Sequence, residues 1–183
     1  GTPLYVYDAA MLIENYRTVC RALPQFEVFY ALKANPSLAL CTLFHEQGAG
    51  AELASGGELK LALKAGFPPA KIVFAGPAKT DTELAQAVEA GIASVNVESF
   101  AELARLEIVA RKMGKRVNAS LRINTKQSDV TTPEVMVGAA SRFGIDEEIV
   151  LDELDRLRGM EYVHLSGIHV YTASQILEVE AVI

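Results

Sequence analysis

The stretch AGAELASGGELKLALKAG, residues 49–66, carries a strand and a helix together with the signals that separate them. The apolar residues 49–54 predict a strand, and Ser55 followed by Glu58 predicts a capping box at the start of a helix. Gly66 then stands where helices commonly end. This stretch therefore predicts one βα unit, in which a strand is followed directly by a helix.

The βα unit recurs along the chain. Further strands are predicted at the apolar runs 26–32, 72–75, 94–97, 117–123 and 162–170. Helix-start signals follow three of them, at Asn35-Pro36, at Thr80 with Glu83 and at Ser99 with Glu102. A long loop after residue 123 precedes a helix predicted over 146–159. The first four strand centres recur at about 22–25 residues, the period expected of a (β/α)8 barrel.

An open, doubly wound sheet is the alternative layout, but no Gly-x-Gly-x-x-Gly motif follows the first strand. We predict an α/β fold, a (β/α)8 TIM barrel of which residues 8–183 form the first six or so βα units. A closed barrel takes eight strands and about 250 residues, so we expect this chain to be part of a longer protein. Leu4–Tyr7 predicts a short strand ahead of the ring, and we assign residues 1–7 to a second, β-rich domain.

Composition narrows the class of protein. The chain has 183 residues, of which 50% are hydrophobic and 22% charged, with a net charge of −6. The absence of a basic run or stripe argues against a nucleic-acid surface, and no apolar run approaches the roughly 20 residues that cross a bilayer. Cys20 and Cys41 lie in apolar helical patterns and indicate buried thiols in a reducing cytoplasm. We expect a cytoplasmic protein that binds neither nucleic acid, membrane nor metal.

Lys33 lies at the end of the first predicted strand, in the run Tyr30–Pro36. A lysine shielded from water binds its proton less tightly, and its free amine forms a Schiff base with an aldehyde. The alternative is a strand-end lysine whose ammonium simply reaches into solvent.

Catalytic groups of a barrel project from the carboxyl ends of its strands. Besides Lys33, the predicted strand ends carry Glu52, Ser55, Glu58, Glu98, Arg122, Asn124 and His169. Each has a structural alternative: Ser55 and Glu58 serve as a capping box, and His169 fits a hydrogen-bonded core position. Arg122 stands in an apolar run and needs a carboxylate or phosphate partner. Together these groups suit an anionic aldehyde such as pyridoxal phosphate, with Ser174 at a predicted helix start as a phosphate ligand.

The chain resembles the fold-type III pyridoxal-phosphate decarboxylases, the group that contains diaminopimelate, ornithine and arginine decarboxylases. The matching motifs occur in the family's order along the whole chain. They are TPLYVYD (residues 2–8), YALKAN (30–35), ASGGEL (54–59), LRIN (121–124), SRFG (141–144), and GIH (167–169) with ASQ (173–175).

The resemblance implies an alanine racemase-like barrel, a β-rich C-terminal domain and a homodimer. It implies catalytic roles for Lys33, which forms the Schiff base, and for His169, which stacks on the cofactor ring. It implies cofactor contacts for Arg122 beside the cofactor, for Ser174 at its phosphate and for Glu52 as the acidic residue near the lysine. Other parts of the family's active site lie later in its sequence, so we expect residues 1–183 alone to be inactive.

The activity that the resemblance implies is decarboxylation of a diaminopimelate-like amino acid, as in lysine biosynthesis. Glu52, where aspartate is common, and the longer segment 169–174 look more like a branch that includes carrier-protein-linked glutamate decarboxylases and exosortase-associated decarboxylases. A carrier-bound glutamyl group or another basic amino acid is therefore an alternative substrate. A Schiff-base aldolase, an alanine racemase and a non-catalytic or regulatory pyridoxal-phosphate protein are further alternatives.

Overall fold

A computed structural model describes residues 1–125, 134–135, 143–153, 155, 157, 159–171 and 173–174. The strands are β1 Phe29–Ala31, β2 Gly50–Leu53, β3 Ile72–Phe74, β4 Ser94–Val97, β5 Val117–Asn124, β6 Glu134–Val135, β7 Ile145–Asp146, β8 Val163–His169 and β9 Ala173–Ser174. The helices are α1 Ala9–Ala22, α2 Leu38–Glu46, α3 Gly56–Ala65, α4 Asp81–Ala90, α5 Phe100–Met113 and α6 Glu147–Asp152. Two 3₁₀ turns cover Leu32–Ala34 and Pro69–Lys71.

Six parallel strands lie side by side in the order β1-β2-β3-β4-β5-β8. The two-residue strand β7 continues along the last residues of β5, and β6 pairs with β9 in a separate antiparallel ribbon. A doubly wound sheet would reverse its order part-way, whereas a barrel keeps neighbours in sequence as neighbours in space. The predicted (β/α)8 barrel is confirmed: the described residues form its first part.

The core lies between the sheet and the helices that follow each strand. Fully buried side chains of β2, β3 and β4 meet the leucines of α3, α4 and α5 there. They include Leu53, Ile72, Phe74, Leu84, Leu103 and Leu106. Because the six strands of this sheet are parallel, their carboxyl ends all lie on one side of the domain.

The sequence signals predict the helix ends well, but the hydrogen bonds at the start of α3 differ from those of a capping box. Thr80 and Glu83 form a complete capping box, and α3 ends at Gly66 in the left-handed conformation, as predicted. Ser55 accepts the N–H of Glu58, but the Glu58 carboxylate bonds the N–H of Ala54 rather than that of Ser55. The prediction of a full capping box there is therefore wrong. The glutamate reaches one residue further back, to the last residue before the cap.

The helix after β1 begins later than predicted. Asn35-Pro36 does not cap it, because the Asn35 side chain accepts the N–H of Ser37, and Ser37 then precedes the first helical residue, Leu38. Helix α6 ends at Asp152 and a turn follows at Glu153, but Asp155 and Leu157 are again helical, so the helix predicted over 146–159 is interrupted.

Leu4–Tyr7 forms no strand within the part of the chain that is described, and all four side chains are exposed. Its assignment to a second domain stays a prediction. The helical pattern predicted over residues 175–183 lies outside the described residues.

Candidate cofactor site

A cavity of about 560 Å³ opens at the carboxyl ends of the strands. Its described lining residues are Phe29, Ala31, Lys33, Glu52, Ala54, Ala75, Gly76, Pro77, Arg122, Phe143, His169 and Tyr171. Four of the five residues predicted to bind the cofactor lie here together, namely Lys33, Glu52, Arg122 and His169. They come from four different strands or strand ends, so the barrel itself brings them into one place.

Lys33 lies in the 3₁₀ turn directly after β1. Ala31 is opposite Glu52 in the β1–β2 register, so the lysine two residues further on passes over this carboxylate. Its Nζ is 3.8 Å from Glu52 Oε1, and its side chain remains 57% exposed. Of the two interpretations of Lys33, the described residues therefore favour a side chain that reaches solvent over one that is shielded from water.

Glu52 is the more buried partner of this pair. Burial raises the pKa of its carboxyl group, and the nearby Lys33 ammonium opposes that rise only in part. A carboxyl group of this kind exchanges a proton with a neighbouring amine more readily than an exposed one does.

Arg122 and His169 are paired across β5 and β8. Arg122 has the anionic partner that the sequence required: its Nη1 donates to Glu98 Oε1 at 3.0 Å, with both side chains almost fully buried. The second carboxylate oxygen of Glu98 and Nδ1 of His169 are buried without a hydrogen-bond partner among the described residues. Burial lowers the pKa of His169 to about 4, and the cations Arg122, Lys33 and Lys79 add to the effect. The imidazole is therefore neutral at pH 7.

Two aromatic side chains of the site had no predicted role. The Arg122 guanidinium carbon lies 4.8 Å from the ring centre of Phe143 and 5.7 Å from that of Tyr171. Lys33 Nζ lies 5.9 Å from the same Tyr171 ring. Phe143 belongs to the SRFG motif, and Tyr171 follows His169 by two positions on extended chain, which would have placed it on the same side.

Ser174 is placed differently from the other predicted ligands. It lies in β9, opposite Glu134, and not at the start of a helix within the described residues. It is not among the described residues that line the cavity. Its contact with a phosphate stays a prediction.

The site suits pyridoxal phosphate on its own chemistry. An accessible lysine amine faces a cavity of suitable size, and aromatic side chains lie alongside. A neutral histidine ring offers a buried nitrogen that has no hydrogen-bond partner within the described part of the chain. Within the same part of the chain, no group of three or more histidine, cysteine, aspartate or glutamate side chains is arranged to hold a metal ion. No helix that the structure describes is long and apolar enough to cross a membrane.

Fold and site together define a barrel domain whose cavity suits an aldehyde cofactor. The chain belongs to the family of pyridoxal-dependent decarboxylases: the model of the family's pyridoxal binding domain matches residues 9–183. Pyridoxal phosphate is the cofactor of this family, and a neighbouring structure, a lysine decarboxylase variant, contains it.

Relatives of known function are decarboxylases. The chain is 41% identical over 180 residues to a diaminopimelate decarboxylase of Aquifex aeolicus, covering 98% of this chain and 43% of the relative. It is 38% identical over 183 residues to the L-glutamyl-[BtrI acyl-carrier protein] decarboxylase of Niallia circulans. This match covers 100% of this chain and 43% of the relative.

The solved structures agree with this placement. The crystal structure of diaminopimelate decarboxylase from M. jannaschii superposes with a TM-score of 0.92 at 34% identity, covering all of this chain and 44% of that one. The crystal structure of diaminopimelate decarboxylase from Helicobacter pylori complexed with L-lysine superposes with a TM-score of 0.91 at 32% identity. The match covers 100% of this chain and 47% of that one. The chain thus spans less than half the length of these relatives.

Proposed function

We propose that the protein is a pyridoxal-phosphate-dependent amino-acid decarboxylase, with Lys33 as the residue whose amine condenses with the cofactor aldehyde. The observation that supports this most strongly is the convergence of Lys33, Glu52, Arg122 and His169 on one cavity at the barrel rim. Pyridoxal phosphate, when bound, supplies the aldehyde and a conjugated ring that accepts the electrons of the breaking carboxylate bond.

Each side chain has a defined task in this proposal. Lys33 must lose a proton to become a nucleophile, and Glu52 at 3.8 Å is the acceptor within reach. His169 packs its neutral ring against the cofactor without placing a positive charge there. Arg122, held by Glu98, lies beside the cofactor and offers its remaining N–H groups to an anionic oxygen. Ser174 is proposed as a phosphate ligand.

A diaminopimelate-like amino acid is the substrate we propose first, which places the protein in lysine biosynthesis. The relatives named diaminopimelate decarboxylase support it. The second candidate is a carrier-bound glutamyl group. It is supported by the Niallia circulans relative, whose match covers the full length of this chain. We further propose a cytoplasmic homodimer, completed by a β-rich domain with which residues 1–7 pair.

The experiment is a panel of free amino acids and a carrier-bound glutamyl substrate, with carbon dioxide release measured for the full-length protein. Release from meso-diaminopimelate alone supports the first substrate, and release only from the carrier-bound group supports the second. No release with a bound cofactor would favour a non-catalytic cofactor protein.

The substitution Lys33→Ala tests whether Lys33 is the residue that condenses with the cofactor. We expect it to abolish the visible absorbance of the bound cofactor and to reduce decarboxylation by at least about a thousandfold, a loss typical for removal of a covalent catalyst. Lys64→Ala, which removes an exposed lysine of α3, is the control and should behave like the wild type. An unchanged spectrum in Lys33→Ala would contradict the proposal.

A further inference from the structure

A buried ion pair lies directly behind the cavity. Lys79, between β3 and α4, and Glu102, in the first turn of α5, join Nζ to Oε1 at 2.8 Å, with side-chain exposures of 1% and 4%. Neither residue lines the cavity. Buried ion pairs add little to stability on average, because desolvation offsets their attraction, so a specific role has to come from what the pair holds in place.

Lys79 uses all three of its ammonium protons. Besides Glu102, it donates to the carbonyl oxygens of Gly76 and Asn96, each at 2.7 Å. Gly76 itself lines the cavity, and Asn96 lies in β4. The lysine therefore fastens the loop after β3 to the end of β4. With every donor engaged, it is not an alternative anchor for an aldehyde.

Glu102 uses both of its carboxylate oxygens. Oε1 accepts from Lys79, and Oε2 accepts the backbone N–H of Glu98 at 3.0 Å. Glu98 in turn holds the Arg122 guanidinium at 3.0 Å. A continuous chain of contacts thus runs from Lys79 through Glu102 and Glu98 to Arg122, which faces the cavity.

The equivalent position two βα units earlier shows what is special here. Glu58 occupies the same place at the start of α3 and bonds the N–H of Ala54, just as Glu102 bonds that of Glu98. No ion pair between Glu58 and a lysine or arginine occurs among the described residues. The fold can therefore make this helix start without a buried lysine, and the ion pair is an addition in the unit that supports Arg122.

We infer that Lys79 and Glu102 are positioning residues that fix the backbone of Glu98 and thereby set the place of the Arg122 guanidinium beside the cofactor. The inference rests on the proposed function, because the cofactor contact of Arg122 is assigned there. The electrostatics agree with this arrangement: the charges of Arg122 and Lys79 both reach His169, where they help to lower its pKa.

Glu102→Gln is the decisive substitution. Glutamine has one acceptor oxygen where glutamate has two, so it cannot serve Lys79 and the Glu98 N–H together. Asp81→Asn is the matched control, because it removes the same charge from an exposed pair with Arg105 in the same region. Both variants are made in the full-length protein and compared for affinity towards pyridoxal phosphate and for the pKa of His169, observed by NMR with labelled histidine in the cofactor-free protein.

We expect Glu102→Gln to bind pyridoxal phosphate at least about tenfold more weakly than Asp81→Asn and to raise the pKa of His169. The sign is informative. Losing a negative charge, by itself, would lower the pKa of a histidine, so a rise means that a nearby cation, Arg122 or Lys79, has moved away or lost its proton. The loss of affinity then points to Arg122, because Lys79 does not line the cavity. Wild-type affinity, or a His169 pKa that is unchanged or lower, would overturn the inference.

A second variant keeps the test valid if Glu102→Gln does not fold. Lys79→Met with Glu102→Leu replaces both charges by apolar groups of similar size, which buried ion pairs often tolerate. This protein should fold, yet bind the cofactor at least about tenfold more weakly, because the Glu98 N–H has lost its acceptor. Full affinity in a folded double variant would overturn the inference. Since the His169 titration needs no cofactor, it distinguishes failure of this inference from failure of Lys33 as the anchor.

Discussion

At the scale of single residues, two lysines, one in the cavity and one next to its wall, have opposite surroundings. Lys33 is accessible and faces one carboxylate, whereas Lys79 is buried and fully hydrogen-bonded. Burial lowers the pKa of Lys79, and Glu102 opposes that effect. Of these two lysines, only Lys33 has an amine that a ligand can reach, so exposure, and not burial, distinguishes the proposed cofactor anchor.

His169 makes the stability of the cofactor-free protein depend on pH. Its pKa in the folded protein is about 4, against an ordinary value of 6.5. Between these values the unfolded chain binds a proton that the folded protein does not, so stability falls as the pH drops from about 6.5 towards 4. We expect urea unfolding at pH 7 and pH 5 to show a larger loss for the wild type than for His169→Gln. Equal losses would contradict the assigned environment of this histidine.

At the scale of elements, the starts of the helices hold neighbouring units together. Glu83 closes the capping box of α4 through Thr80, and its other oxygen accepts the N–H of Gly56 at the start of α3, at 2.9 Å. These backbone hydrogen bonds lower the pKa of its carboxyl group. One glutamate thus connects two consecutive βα units at the end of the barrel that carries the site.

Removing the Glu83 side chain should be costly, because this residue is partly buried and holds backbone groups of two units. We expect Glu83→Ala to lower the free energy of unfolding by about 1–3 kcal/mol, because backbone N–H groups lose their acceptors. Glu89→Ala, which removes only an exposed pair with Lys115, should cost about 0–1 kcal/mol. Chemical denaturation of the two variants measures the difference, and similar losses would show that Glu83 is an ordinary surface residue.

The sequence predicted most elements because their signals are local. Strands β2 to β5 and the helices after them follow apolar runs, caps and glycines that lie within a few residues of each other. The start of α2 was mispredicted because the Asn35 side chain bonds its own loop instead of the helix. Likewise Glu102 was recognised as a capping residue, but its bond to Lys79, 23 residues earlier, depends on the fold.

The candidate site was predictable for a similar reason. Lys33, Glu52, Arg122 and His169 were found because the carboxyl ends of parallel strands meet on one side. Phe143 and Lys79 lie in segments between the regular elements, where a sequence gives no direction for the side chain. Tyr171 lies one residue beyond the strand predicted over 162–170 and was left out for that reason. The exposure of the Lys33 side chain also could not be predicted from the sequence, because it depends on which residues cover the cavity.

At the scale of the whole molecule, the described domain leaves apolar surface exposed. Tyr5 and Val6 are 91% and 83% exposed, and Ile168 on β8, the last strand of the parallel sheet, is 71% exposed. The relatives are more than twice as long as this chain. Both facts support the proposal that the site is completed by further barrel strands and a second domain.

Residues 1–183 expressed alone should therefore not decarboxylate amino acids. The cavity is open beside Lys33, and groups that would exclude water and return a proton to the product are expected elsewhere in the protein. The measurement compares carbon dioxide release by residues 1–183 and by the full-length protein at equal concentration. Release by the shorter chain at a comparable rate would contradict the proposed division of the active site.

The most direct test of the central claim locates the covalent anchor. The full-length protein is loaded with pyridoxal phosphate, reduced with borohydride to make the bond to the amine permanent, digested and mapped by mass spectrometry. We predict that the cofactor is attached to Lys33. Attachment to any other lysine, Lys79 included, or no attachment at all, would contradict this account of the site.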